Sequence, residues 1–131
     1  MNKSFLGLVL IVVLAVVSLF VFAPEVKYTF EKNAIHEMDN VKGNRDAKVV
    51  LIEYSDFECP ACRTYYPILR EISTEFGDRI AIVYRHFPLT SIHPNAEFAA
   101  RAAEAAGKQE KFWEMHDLLF QKQAEWSRVA D

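Results

Sequence analysis

Cys59 and Cys62 are the two cysteines of the chain, and Pro60 and Ala61 separate them. At this spacing two sulfur atoms can close into a disulfide of about 2.05 Å. The pair follows an apolar strand-like run and opens a helix-like run, so Cys59 is predicted at a helix N-terminus. There the unpaired backbone N–H groups and the helix dipole favour the thiolate, which is the nucleophile of disulfide exchange. The tetrad therefore predicts a redox-active dithiol, because a structural disulfide gains most from closing a long loop.

Two strands and one helix are predicted to position this dithiol. Residues 48–54 and 80–84 are continuous apolar runs, as expected of strands that are buried on both faces. Residues 60–76 carry apolar side chains at helical spacing and end at Gly77. A strand, a helix and a second strand in this order predict a right-handed βαβ unit with parallel strands. Pro67 lies inside the helix and predicts a kink there.

Two more helices are predicted after the second strand. Residues 94–106 are rich in alanine, and residues 109–123 are amphipathic. The aromatic side chains of the second helix are spaced as on the buried face of a helix, although they could also form a partner-binding stripe. They are Phe112, Trp113, Phe120 and, just beyond the helix, Trp126. The spacing favours a core position.

The N-terminal segment is predicted to be a membrane anchor. Lys3 precedes an uncharged run, residues 5–23, which would be about 28 Å long as a helix, enough to cross a bilayer. Residues 1–23 are therefore interpreted as an uncleaved signal anchor, residues 24–47 as an irregular membrane-proximal linker and residues 48–131 as the globular domain. This topology retains Lys3 inside and exports the domain, so the predicted location is the extracytoplasmic side of the cell membrane.

Composition narrows the possible functions further. The chain has 131 residues, which allows one globular domain at most, and 51% of them are hydrophobic. Its net charge of −3 gives no electrostatic support for nucleic-acid binding.

Four segments, in order, resemble the DsbA-like thiol:disulfide oxidoreductases of thioredoxin fold. They are residues 53–62 (EYSDFECPAC), 84–89 (YRHFPL), 93–96 (HPNA) and 112–116 (FWEMH). The resemblance extends over roughly residues 43–126. It implies an α/β fold, in which a thioredoxin-like βαβ unit carries a helical insertion from about residue 91.

The resemblance also implies roles for individual residues. Cys59 would be the attacking cysteine and Cys62 the resolving one, with the dithiol itself in place of a bound cofactor or metal. Glu53 falls where this superfamily has a buried acid beneath the dithiol, and burial of a carboxyl group raises its pKa. Glu53 could then relay a proton to or from Cys62. Pro60 and Ala61 would tune the redox potential; alanine adds no charge, so we expect a weaker oxidant than relatives with histidine at Ala61.

The implied substrates are the thiols and disulfides of exported proteins, and the implied re-oxidising partner is a quinone-linked membrane protein. The family's cis-proline loop and its remaining strands follow the helical insertion. In this chain no proline follows the insertion. Its prolines are Pro24, Pro60, Pro67, Pro88 and Pro94. The sequence is therefore interpreted as the N-terminal part of a longer oxidoreductase, from which these elements are missing.

Two alternatives remain open from the sequence. The first is a thioredoxin-like reductant of exported thiols, because the sequence does not fix the direction of electron flow. The second is a non-catalytic interaction fragment or a zinc site, in which the two cysteines supply half of the ligands. The other half would have to come from the histidines, and these form no second spaced pair; they are His36, His86, His93 and His116.

Overall fold

The computed structural model describes residues 7, 12–14, 17–18 and 34–127. The chain divides into two compact units, residues 1–32 and residues 33–131. In the first unit, the described residues are helical. Most of the predicted anchor, residues 5–23, lies outside the described residues, and the anchor stays a prediction. Among the described residues, no helix has both the length and the apolar character that a membrane crossing requires.

Within residues 34–127, three strands form one sheet. They are β1 (Asn40–Gly43), β2 (Val49–Ser55) and β3 (Ile80–His86), in the order β1-β3-β2. The predicted parallel pairing of β2 with β3 is confirmed, with Glu53 opposite Tyr84. β1 runs antiparallel to β3 on its other side. The central position of β3 explains why its first five residues are all buried.

Two expectations about the sheet are wrong. Residues 24–47 were expected to be irregular, and the sheet to have about two strands, whereas Asn40–Gly43 forms a third strand. Gly43 allows β1 to approach β3 closely, because a Cβ atom at this position would clash with the Ile80 carbonyl oxygen. β2 was expected to be buried on both faces, but it pairs only with β3 among the described strands. As a result, Val49 and Tyr54 are exposed.

Helix α1 (Pro60–Phe76) follows β2 and is one continuous helix of 17 residues that includes Pro67. The predicted stop is confirmed: Gly77 has a φ of 50° and its N–H group bonds to the Ser73 carbonyl oxygen. A 3₁₀ turn over Gly77–Arg79 then leads into β3.

The predicted helical insertion after β3 is confirmed. It consists of α2 (Ala96–Gly107), α3 (Phe112–Gln121) and the short α4 (Gln123–Trp126). The insertion packs on the sheet and α1 through an aromatic core. This core contains Phe57, Tyr66, Tyr84, Phe112 and Phe120, with Trp113 and Trp126 packed against it. The aromatic residues of the insertion are therefore core residues, as the spacing favoured.

Candidate active site

Cys59 occupies the N-cap position of α1, as predicted. Its backbone is extended, with φ −69° and ψ 122°, and Pro60 begins the helix. The Cys59 carbonyl oxygen accepts the first helical hydrogen bond, from the Arg63 N–H at 3.1 Å, and its own N–H bonds to the Asp56 carbonyl oxygen at 3.1 Å. The helix N-terminus has no side-chain cap. The first-turn N–H groups therefore remain available to a negative charge on the Cys59 sulfur.

Gln123 holds the backbone on which Cys59 sits. This side chain lies on α4, is 3% exposed, and donates from Nε2 to two carbonyl oxygens of the active-site segment. One is that of Phe57, at 2.7 Å, and the other that of Cys59, at 3.0 Å. No local pattern in the sequence points to this residue, because its contact with Cys59 spans 64 residues.

Cys62 lies one turn into α1 and, like Cys59, is half-buried with a free thiol. Burial raises the pKa of the Cys62 thiol, and so does the neighbouring Cys59. The nearby Ser55 hydroxyl and the backbone N–H of Asp56 act in the opposite direction. The Cys62 thiol therefore favours its protonated state, and a base would have to remove this proton before the sulfur could act as a nucleophile.

Glu53 lies in β2, half-buried, and lines the same open groove along the strand edge as Ala61 and Cys62. Burial raises the pKa of the Glu53 carboxyl group, although the Ser55 hydroxyl and the charge of His116 partly oppose this effect. A carboxyl group with a raised pKa therefore lines the same groove as the Cys62 thiol, and the predicted relay role of Glu53 stays a prediction.

The Ser55 hydroxyl lies between these groups. Ser55 is two residues after Glu53 on the same strand, and its Oγ is buried without a hydrogen bond of ordinary geometry to a described residue. It is near enough to Glu53, Cys62 and Tyr84 to lower the pKa of each. Burial, followed by the Glu53 charge, raises the pKa of Tyr84 far above its usual range, so Tyr84 stays neutral. A hydroxyl in this position can accept one proton and donate another.

His116, on α3, is a further buried polar residue near the site. It is 6% exposed and is packed among the rings of Phe57, Tyr66 and Tyr84. Its Nδ1 is 2.9 Å from an Asp117 carboxylate oxygen, and its Nε2 is buried with no partner among the described residues. From the sequence, His116 was named only among the histidines that could complete a zinc site.

The described residues offer no assembled metal centre. Among them, no three side chains of the His, Cys, Asp and Glu types are grouped to hold an ion. His93 is instead 2.7 Å from an Asp56 carboxylate oxygen, and His86 is 2.9 Å from a carboxylate oxygen of Glu104. The zinc alternative therefore lacks a second pair of ligands within this part of the chain.

Comparisons with known proteins agree with this geometry. A family model described as Thioredoxin matches residues 36–131. A relative named Na(+)/H(+) antiporter NhaA 1, from Salinispora arenicola, is 54% identical over 95 residues; the match covers 72% of this chain and 14% of the relative. The chain therefore spans about a seventh of the length of this curated relative.

Two solved structures share both fold and sequence with the chain. DsbA2 of Pseudomonas aeruginosa is 33% identical with a TM-score of 0.56, over 62% of this chain and 46% of that one. Oxidised BdbD of Bacillus subtilis is 29% identical with a TM-score of 0.58, over 65% of this chain and 48% of that one. The sheet, the dithiol at a helix N-terminus and the helical insertion define the class. The chain belongs to the thioredoxin family, as a DsbA-like thioredoxin-fold protein.

Proposed function

We propose that this chain catalyses thiol–disulfide exchange through Cys59 and Cys62. The observation that carries the proposal is the placement of the pair. Cys59 is the N-cap residue of a 17-residue helix whose N-terminus has no side-chain hydrogen bond, and Cys62 lies one turn further along that helix. Cys59 is then the sulfur that substrates meet, and Cys62 is the sulfur that releases them. The relatedness to DsbA2 and BdbD supports the same chemical class.

The oxidising cycle begins from the Cys59–Cys62 disulfide. A substrate thiolate attacks the Cys59 sulfur, a mixed disulfide forms, and Cys62 leaves as a thiolate. A second substrate thiolate attacks the substrate sulfur of the mixed disulfide, and Cys59 leaves as a thiolate. Two substrate thiols become one disulfide, while two electrons reduce the Cys59–Cys62 bond to a dithiol. The same steps in reverse reduce a substrate disulfide.

Glu53 serves Cys62 in both directions. When Cys62 leaves, the protonated Glu53 carboxyl gives it a proton; when Cys62 attacks, the Glu53 carboxylate takes that proton away. The raised pKa of Glu53 supports this role, because both protonation states are then accessible closer to neutral pH. The Ser55 hydroxyl, which is close to both groups, is the bridge for the proton.

The proposed substrates are the thiols and disulfides of exported proteins, on the extracytoplasmic side of a membrane to which residues 5–23 anchor the chain. The matched relative is named an antiporter of Na⁺ and H⁺, which supports a membrane location. A quinone-linked membrane protein is the proposed oxidant of the reduced dithiol, and no bound cofactor is required. A reductant of exported thiols is the alternative; it predicts a reduction potential near that of thioredoxin, about −270 mV, rather than that of DsbA, about −120 mV.

A stoichiometric exchange assay tests the proposal. The full chain, oxidised at Cys59–Cys62, is mixed with a reduced peptide that contains two thiols, and both disulfides are followed by mass spectrometry. We expect one peptide disulfide for each Cys59–Cys62 bond reduced. In a separate reaction with an oxidised peptide, the Cys62→Ala variant in its thiol form should accumulate a mixed disulfide at Cys59. An oxidised wild-type chain that leaves the peptide reduced, or a mixed disulfide that survives in Cys59→Ser, contradicts the proposal.

A further inference from the structure

The Nε2 atom of His116 is one of several buried side-chain polar atoms that have no partner among the described residues. The side chain is 94% buried, yet this nitrogen has no hydrogen-bond partner among the described residues. A buried polar atom without a partner is rare, because losing its hydration costs about 1–3 kcal/mol. Its presence here points to a partner that is neither a backbone group nor a side chain of this region.

His116 is one of the residues that line a small cavity. It has a volume of about 20 Å³ and is bounded by the sheet, α1 and α3. Glu53, Tyr66 and His116 are among its lining residues. A space of this size can hold about one water molecule, and polar groups on its walls make such a water stable. Glu53 therefore faces both the groove at Cys62 and the cavity at His116.

The hydrogen bond on the other side of the ring prepares Nε2 to accept a proton. Asp117 lies 2.9 Å from Nδ1. Burial alone would raise the pKa of Asp117, but its hydrogen bond with His116 and the charge of Lys42 outweigh burial and lower that pKa. The ionised Asp117 accepts the Nδ1 proton, so Nε2 of the neutral ring carries a free lone pair.

Charged and titratable groups from every neighbouring element face this region. They are Lys42 on β1, Glu53 on β2, Tyr84 on β3, Cys62, Tyr66 and Arg70 on α1, and Asp117 on α3. Lys42, Arg70 and Asp117 line the cavity. The Lys42 Nζ is 3.9 Å from an Asp117 carboxylate oxygen, and both side chains are partly exposed. The cavity thus connects the half-buried Glu53 with a charged, partly exposed surface.

We propose that His116 is a positioning residue for Glu53, and that one water molecule in this cavity joins His116 Nε2 to the Glu53 carboxyl group. The inference rests on the proposed exchange function. When Cys62 attacks the Cys59 sulfur of the mixed disulfide, the bond between Cys59 and the substrate breaks, the substrate sulfur leaves as a thiolate, and the Cys62 proton passes to the Glu53 carboxylate. Glu53 then gives a proton to the water, and the water gives one of its own to Nε2. The resulting imidazolium is held by Asp117 and loses its proton to solvent, which restores every group.

NMR of the full chain tests the link without measuring exchange. The Glu53 carboxyl carbon is titrated in the wild-type chain, in His116→Gln and in the matched control His86→Gln. The His86 ring also packs on Phe57 and Tyr84, but it does not line the cavity. We expect the Glu53 titration to move to higher pH in His116→Gln, because the influence of His116 that lowers the Glu53 pKa is lost, and to stay in place in His86→Gln. Equal titrations in all three proteins overturn the proposal.

Two further readouts separate a positioning role from a structural one. In the wild-type chain, water–protein NOEs to the His116 ring are expected, and their absence overturns the proposal even if the variants fail to fold. In His116→Gln, the rate at which a peptide is released from its mixed disulfide with Cys59 should fall about tenfold, and this rate should lose part of its pH dependence. In Glu53→Gln the same rate should fall about 100-fold. A wild-type chain that shows the NMR link but no exchange would refute the proposed function and leave the water bridge standing.

Discussion

The Nδ1 atom of His93 lies 2.7 Å from the Oδ2 atom of Asp56, which precedes it by 37 residues. The same oxygen accepts the backbone N–H of Leu89 at 2.9 Å, and Oδ1 accepts that of Glu58 at 2.8 Å. Asp56 is 3% exposed. One buried carboxylate thus joins the turn that carries Cys59 to the segment that leads into α2.

Asp56→Ala should lower the free energy of unfolding by about 3 kcal/mol, because several buried donors lose their acceptor at once. Urea unfolding of the full chain, followed by far-UV circular dichroism, measures the change. Glu97→Ala is the matched control, since Glu97 forms an exposed pair with Arg101, which contributes less than ~0.5 kcal/mol. A similar loss of stability in both variants would mean that Asp56 has no special part in joining the loops.

Glu53→Gln should make the chain more stable at neutral pH and less active. Burial raises the folded-state pKa of Glu53 above its ordinary value of 4.5, so folding disfavours the ionised form. As pH rises from about 4.5 through the folded-state pKa, the wild-type chain loses stability, because the folded state then binds more protons than the unfolded state. Glutamine cannot ionise, so this loss should disappear in the variant.

Unfolding free energies of both proteins at a series of pH values check this expectation. The two curves should converge below pH 4.5, where Glu53 is protonated in both states. Parallel curves over the whole range would show that Glu53 titrates alike in the folded and unfolded chain. Exchange activity should fall about 100-fold, the scale of a lost general acid.

Gln123→Leu should lower both the stability of the chain and the reactivity of Cys59. The substitution removes the donor to the Phe57 and Cys59 carbonyl oxygens and leaves two acceptors buried. We expect a loss of about 2 kcal/mol in unfolding free energy and slower attack by Cys59. Alkylation kinetics of Cys59 in a Cys62→Ala background measure the second effect. Gln109→Leu is the control, because Gln109 is exposed, lies in the turn after α2 and bonds to the Ala105 carbonyl oxygen. Equal alkylation rates in the two variants would contradict a positioning role for Gln123.

Ala61→His should make the dithiol more oxidising. Ala61 is exposed beside Cys62, and an imidazole there adds a hydrogen-bond donor that stabilises the reduced, thiolate-containing form. Equilibration with glutathione buffers should show the redox constant shifted about tenfold toward the dithiol, or about 30 mV. Ala61→Gln separates the donor from the charge. A shift toward the disulfide would mean that the cation acts mainly on the helix N-terminus, where it is unfavourable.

The sequence predicted those parts of the site that depend on local chemistry. The spacing of Cys59 and Cys62, Pro60 at the first helical position and Gly77 just after the last each act within one or two helical turns, and the structure confirms their places. The parallel pairing of β2 and β3 also followed from local patterns, because a helix between two strands admits few connections.

The parts that could not be predicted depend on distant contacts. β1 is four residues long with a polar sequence, and it exists because the edge of β3 provides its partner. β2 was expected to be fully buried because its apolar run resembles that of β3, but burial depends on position in the sheet and not on composition. The contacts of Asp56 and His116 were not predicted, because their partners and surroundings are set by tertiary packing.

The Gln123 contacts also set an order of events during synthesis. Chains grow from the N-terminus, so Cys59 and Cys62 emerge long before the side chain that fixes the Phe57 and Cys59 carbonyls. A nascent chain that stops short of residue 123 carries both thiols without that brace. Such a chain can still react with oxidants, but the turn that presents Cys59 acquires its final shape only after α4 has been added.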